Sequence, residues 1–203
     1  MTHDKADSAL LVVIDGIDGC GKTTQVRLLH NRLQFEGFRS TICSEPTKGP
    51  WGRKLRESAL AGRFGVEEEF NIILNDRKDD VAKCIKPNLD AGAIVILDRY
   101  YTSTLAYQSL RGLSEEVILA RNRCFAPAPD IIIILEIDPD EALQRVRKRD
   151  KKPDKFESAD LPDVASKFSK LTLPGLIRLD AERPITEVHE EIYQAVKQRL
   201  VKS

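Results

Sequence analysis

The chain has 203 residues, enough for one well-filled core and few for two, and its 32 basic and 32 acidic side chains cancel. With no global field to recruit nucleic acid or an anionic membrane, any basic function is local. The four cysteines, Cys20, Cys43, Cys84 and Cys124, form no CxxC pair and have no histidine at ligand spacing, which argues against a zinc site or disulfide framework and for a reducing cytoplasm.

The opening MTHDKADSALLVVIDG carries acids before a short apolar run, so it lacks the basic start and cleavage region of a secretory signal. No apolar run approaches the ~20 residues of a membrane helix. The first run, LLVVID at 10–15, is followed by a glycine turn and a helix over 22–36. A second strand, STIC at 40–43, precedes helices at 50–60 and 67–90. AIVILD at 93–98 leads into helices at 101–109 and 114–124, and DIIIILEI at 130–137 into a helix at 138–149. A helix at 160–171, a weaker strand GLIRLD at 175–180 and a helix at 184–201 complete the chain. Short β-branched runs alternating with helical patterns predict an α/β fold of one domain, residues 1–203, whose parallel strands are covered on both faces. Right-handed crossovers then put ligand sites just beyond the carboxyl ends of the strands.

The first strand exit reads Gly16-Ile17-Asp18-Gly19-Cys20-Gly21-Lys22-Thr23, a full G-x-x-x-x-G-K-[ST] pattern between a strand and a helix. Glycines there let successive N–H groups curl around a phosphate, and the helix start presents its positive end. Lys22 reaches the terminal phosphates and the Thr23 hydroxyl suits Mg²⁺. This predicts a nucleoside triphosphate site over residues 16–24, Thr24 included. The third strand exit carries Asp98-Arg99. The aspartate can serve the Mg²⁺ shell or orient an acceptor, the arginine can clamp phosphate oxygens, and a helix-capping ion pair is the alternative reading. Thr104 and Tyr107, three apart on the next helix, share a face suited to a sugar or base.

GIDGCGKTTQ, EPTKGPWGRKLRE, NDRKDDV, LDRYYTSTLAYQ, APAPDIIIILEIDP and DKFE follow one another over about residues 10–190. In this order they resemble the bacterial thymidylate kinases, whose specific part is the Asp-Arg-Tyr segment with its Ala-Tyr-Gln. The resemblance implies a three-layer phosphate-loop kinase fold with a five-stranded parallel sheet and a short lid at about 147–160. It further implies transfer of the γ-phosphoryl of ATP to dTMP, Mg²⁺ at Thr23 and Asp98, and a homodimer that binds neither nucleic acid nor membrane. Asp18 then lies near the acceptor's deoxyribose 3′-hydroxyl, and Glu45-Pro46 shapes the acceptor pocket. Arg77 contacts the base, Arg99 grips the acceptor phosphate, Tyr107 packs under the sugar, Thr104 faces the base, and Gln108 is a further substrate-binding residue.

One position departs from the family. Where it places a phenylalanine that stacks on thymine, this chain has Ile73, while Phe70 lies three positions earlier, about one turn away. Kinases for dUMP or another deoxynucleotide, and a nucleotide-binding regulator without transfer, therefore stand as alternatives. In RVRKRDKKPDK at 145–155, seven of eleven residues are basic. A solvated helix end or a nucleic-acid patch competes there with a closing lid. The resemblance favours the lid, because Gly19 and Cys20 stand where one subgroup has a phosphate-loop arginine and members lacking it take the cation from the lid. Arg147 and Arg149 are both candidates, Phe156-Glu157 matches the aromatic-acid pair after the lid, and LDAERPITEV follows the last strand toward the adenine. The cysteines read as small apolar fillers, with Cys20 still oxidisable.

Overall fold

The computed structural model describes residues 9–149 and 160–202. Five strands, β1 (Leu10–Asp15), β2 (Ser40–Ser44), β3 (Ile94–Asp98), β4 (Ile131–Glu136) and β5 (Leu176–Asp180), form one parallel sheet in the order β2-β3-β1-β4-β5. β1 is buried at every residue, and β3 and β4 at all but their last. Because successive side chains point to opposite faces, such strands require cover on both sides, and their β-branched composition suits that setting. β5 lies at an edge and has no fully buried residue, two partly buried leucines standing among three exposed positions, which is why its apolar signal is weak.

The cover comes from α1 (Lys22–Phe35), α2 (Pro50–Ala61), α3 (Val66–Asp80), α4 (Lys86–Asp90), α5 (Tyr101–Leu110), α6 (Glu115–Arg123), α7 (Pro139–Arg149), α8 (Leu161–Lys170) and α9 (Ile185–Lys202). α1 packs on β1, β2 and β3 and against α9, while α5 packs on α6 and α8. The stretch expected as a single helix over 67–90 is broken by a π-turn, Val81–Ile85, between α3 and α4. Val81 and Ile85 both enter the core from this widened turn.

The cysteine reading needs correction. Cys43 of β2 and Cys84 of the π-turn are joined in a disulfide, 41 residues apart in sequence with Cα atoms 6.4 Å apart. They are not independent apolar fillers, and the expectation that the spacing excludes a disulfide fails because the fold, not the spacing, brings the two sulfurs together. Cys20 is a buried free thiol and Cys124 an exposed one.

The sheet register positions the site. Ile14 of β1 and Ser44 of β2 both lie opposite Asp98 of β3. The next residues, Asp15, Glu45 and Arg99, therefore leave the sheet at one level. Two backbone bonds hold them there, from the Glu45 N–H to the Asp98 carbonyl (3.1 Å) and from the Arg99 N–H to that of Ile14 (3.2 Å).

Candidate active site

The loop after β1 wraps the start of α1. Gly21, with φ of +99°, occupies the left-handed region and turns the chain into the helix. Gly19, with φ of +89°, packs so closely on α7 that an added Cβ would lie 2.3 Å from the Ala142 carbonyl oxygen. No side chain fits at position 19 in this structure, which gives a steric reason for the missing phosphate-loop arginine. Cys20 is buried beside it, and burial pushes its thiol up, away from the reactive thiolate.

Lys22 is buried and folds back over the loop, its Nζ donating to the carbonyls of Gly16 (3.0 Å) and Ile17 (2.9 Å), 3.4 Å from Asp18 Oδ1. The same Asp18 oxygen accepts from Arg99 Nη2, so one carboxylate bridges the lysine of the first strand exit and the arginine of the third. Burial acts to lower the Arg99 pKa, but the Asp18 carboxylate overrides it and holds the guanidinium firmly protonated. The Arg99 backbone sits at φ of +71°, a strained conformation for a residue with a Cβ, costing about 1 kcal/mol or more. Thr23 Oγ1 donates to Asp98 Oδ2 at 2.6 Å on the exposed side of the loop.

Beyond Arg99 opens a cleft of about 740 Å³, lined by every expected acceptor residue: Asp18, Glu45, Pro46, Ile73, Arg77, Arg99, Thr104, Tyr107 and Gln108. Arg77 is 1% exposed. Its guanidinium donates to Glu45 from Nε (2.9 Å) and Nη2 (2.5 Å), to Asn122 Oδ1 (2.5 Å) and to Thr104 Oγ1 (3.1 Å). Burial pushes the Glu45 carboxyl up in spite of Arg77, because neighbouring Asp76 and Asp15 add to the effect. Ile73, not Phe70, faces the cleft. Phe70 is fully buried in the core with the Arg121 guanidinium 4.8 Å from its ring centre, and it does not line the cleft. Tyr107 lies with the Arg99 guanidinium 5.6 Å from its ring centre and meets Phe168 of α8 edge-on.

Of the two lid candidates, Arg147 and Arg149 both fall on the exposed last turn of α7, and neither lines the cleft among the described residues. Phe156 and Glu157 lie outside the described residues.

Comparison with known proteins places the chain in a family. The family model for thymidylate kinase matches residues 14–192. A thymidylate kinase of Xanthomonas campestris pv. campestris (strain B100) is 40% identical over 205 residues, covering 98% of this chain and 90% of its own. That of Akkermansia muciniphila is 42% identical over 190 residues, covering 93% and 92%. The chain belongs to the thymidylate kinase family. It is accordingly a phosphotransferase by family, and among the described residues no helix is long and apolar enough to cross a membrane.

Several side chains that shape the site escape a reading by motif. Asp15 is fully buried and accepts from Thr102 Oγ1 (2.6 Å), Ser103 Oγ (2.7 Å) and the Gly16 N–H (2.9 Å), while Ser103 Oγ in turn accepts from Arg99 Nη1 (3.2 Å). Its place at a strand exit was a usable signal. Glu69 gathers Arg63, Arg111 and Gln108 at the far wall. Burial works to raise its carboxyl, but the donors from Arg63, Gln108 and Arg111 outweigh it and hold it below the usual range. Asn122, which meets Arg77 across 45 residues, carried no local signal at all.

The buried pair makes a test of stability. Arg77→Ala leaves Glu45 enclosed and uncompensated and is expected to cost about 3–5 kcal/mol in urea unfolding, whereas Glu45→Gln combined with Arg77→Met recovers most of that loss. Equal stability of Arg77→Ala and the parent would remove the pair from any structural role.

Proposed function

We propose that the protein transfers the γ-phosphoryl group of ATP to dTMP, giving dTDP and ADP, in deoxynucleotide biosynthesis. The carrying observation is the Lys22–Asp18–Arg99 bridge, which joins a phosphate loop directly to a cleft of nucleotide size. The loop amides over residues 16–24 and Lys22 hold the donor's phosphates. Arg99 takes the acceptor phosphate, which competes for the contact now made by Asp18 and frees that carboxylate to accept the deoxyribose 3′-hydroxyl. Tyr107 lies beneath the sugar and crowds a 2′-hydroxyl, giving a deoxy preference. Thr104, Gln108 and Arg77 face the polar edge of the base, with Glu45 fixing the plane of Arg77 from behind.

The Thr23 and Asp98 oxygens, 2.6 Å apart at the mouth of the loop, fit a hard cation that takes oxygen ligands, and these two residues would hold Mg²⁺. When bound, the ion neutralises charge on the donor's phosphate oxygens. The acceptor is already a phosphate anion, so no strong general base is needed, and rate comes from alignment and preorganised positive charge. With Gly19 packed on Ala142 and a cysteine, not an arginine, at position 20, the further cation comes from the lid at about 147–160, through Arg147 or Arg149. The family resemblance supports one kinase unit over 1–203 acting as a homodimer, for which light scattering should give twice the chain mass. We place it in the cytoplasm with its ATP pool.

Lys22→Ala and Arg99→Ala are each expected to lose at least ~10³ in turnover while keeping the parent's circular dichroism. Full activity in either folded variant would sink these roles. A coupled ADP assay should show release dependent on acceptor and preference for dTMP over dUMP, dGMP and the ribonucleotide analogue, and equal rates across that panel would refute the substrate. Restoring the ring with Ile73→Phe should lower KM for dTMP roughly two- to tenfold with little change in kcat, since stacking adds about 0.5–1.5 kcal/mol of binding.

A further inference from the structure

The disulfide lies in a cluster that the phosphoryl-transfer chemistry does not use. Cys43 Sγ, Cys84 Sγ and a carboxylate oxygen of Asp80 all lie within 4.8 Å of one another. Cys43 and Asp80 are buried, and Cys84 is half-buried. Asp80 is 8% exposed, and its Oδ2 has no hydrogen-bond partner among the described residues. A buried carboxylate oxygen is not normally left so, and its orphaned state at this point is the second observation that asks for a ligand. Three carboxylates, Glu45, Asp76 and Asp80, share this region with one guanidinium, Arg77, whose donors are directed to Glu45, Asn122 and Thr104. None of these Arg77 hydrogen bonds reaches Asp80.

We propose that the reduced Cys43–Cys84 pair, with Asp80, forms a binding site for one soft divalent cation of the zinc type, and that the disulfide is the closed, metal-free form of the same site. Two thiolates and a carboxylate are a donor set that a borderline-soft cation takes in preference to Mg²⁺. Tetrahedral coordination with metal–sulfur bonds of ~2.3 Å needs the sulfurs ~3.8 Å apart. With the Cα atoms 6.4 Å apart, side-chain rotation achieves this without moving the backbone. Opening the site requires two electrons and two protons from an external dithiol, which leaves as its own disulfide. Binding then forms two metal–sulfur bonds and releases two thiol protons, with water in the fourth position. The carboxylate comes from the last residue of α3 and the second sulfur from the π-turn that follows. Four residues apart on one continuous helical stretch, Asp80 and Cys84 share a face, and that face lies beside Cys43 of β2.

The test uses the untagged full chain, reduced with a phosphine under argon and titrated with Co²⁺. One equivalent should bind with the intense near-ultraviolet thiolate-to-cobalt absorption, Zn²⁺ should bleach that absorption, and Mg²⁺ should not. Air-oxidised protein should show none of it. Cys84→Ser should abolish the band, and Asp80→Asn should weaken Co²⁺ at least about tenfold, given that even groups behind a ligand commonly change affinity by 10- to 100-fold. Should Cys84→Ser not fold, protection of Cys43 and Cys84 in the parent from N-ethylmaleimide by Zn²⁺, read by peptide mass spectrometry with Cys124 as the unprotected control, gives the same answer. A reduced protein without the band, a band retained in Cys84→Ser, absent protection of the two thiols, or unchanged Co²⁺ affinity in Asp80→Asn would overturn the proposal.

Discussion

The register of three parallel strands is the constraint on which the site depends. Because Ile14, Asp98 and Ser44 are level across β1, β3 and β2, the residues that follow them emerge together: Asp15 and the glycine loop, Arg99, and Glu45. A slip of one residue in either pairing would turn each strand's buried side chains to the opposite face and separate the Lys22–Asp18–Arg99 bridge. Both strands are buried on both faces, so it is the close fit of their side chains against the covering helices, not an apolar–polar alternation, that enforces the register. Packing energy distributed over the sheet is thereby converted into the placement of a few charged groups.

Those groups are held against strong costs. Arg77, Glu45, Asp15 and Lys22 are all nearly or fully enclosed, and burial of an unpaired charge is prohibitive. Each is matched: Arg77 by Glu45 and two neutral acceptors, Asp15 by two hydroxyls and an amide, Lys22 by two carbonyls. Such networks fix side-chain directions before a ligand arrives, which is what phosphoryl transfer by alignment demands. Arg99, strained at its backbone and tied to Asp18 and Ser103, is the clearest case. The strain at this residue is borne by a surrounding structure that holds the guanidinium at the junction of loop and cleft.

Much of this was legible in the linear chain. Strand and helix positions follow from β-branched runs and helical spacing, and the phosphate loop from glycine spacing in a strand-to-helix context. All nine expected acceptor residues meet in one cleft. What failed did so for identifiable reasons. The π-turn over Val81–Ile85 has no marker in a stretch whose periodicity suits an unbroken helix. Asn122 is the partner of Arg77 only because α6 comes to lie against the cleft wall. Cys43 and Cys84 looked independent because their 41-residue separation carries no motif.

The sequence alone therefore determined which chemistry is present: a phosphate cradle, an arginine at the third strand exit, and a family whose order of motifs it follows. Local spacing is sufficient for these, because backbone conformation and neighbouring residues create them. Tertiary structure decided what long-range packing must decide. It buried Phe70 and left Ile73 to the cleft, closed position 19 against Ala142, and brought two cysteines and an aspartate to one point. Each of these outcomes depends on how one element lies against another tens of residues away, and no local pattern of side chains encodes that distance.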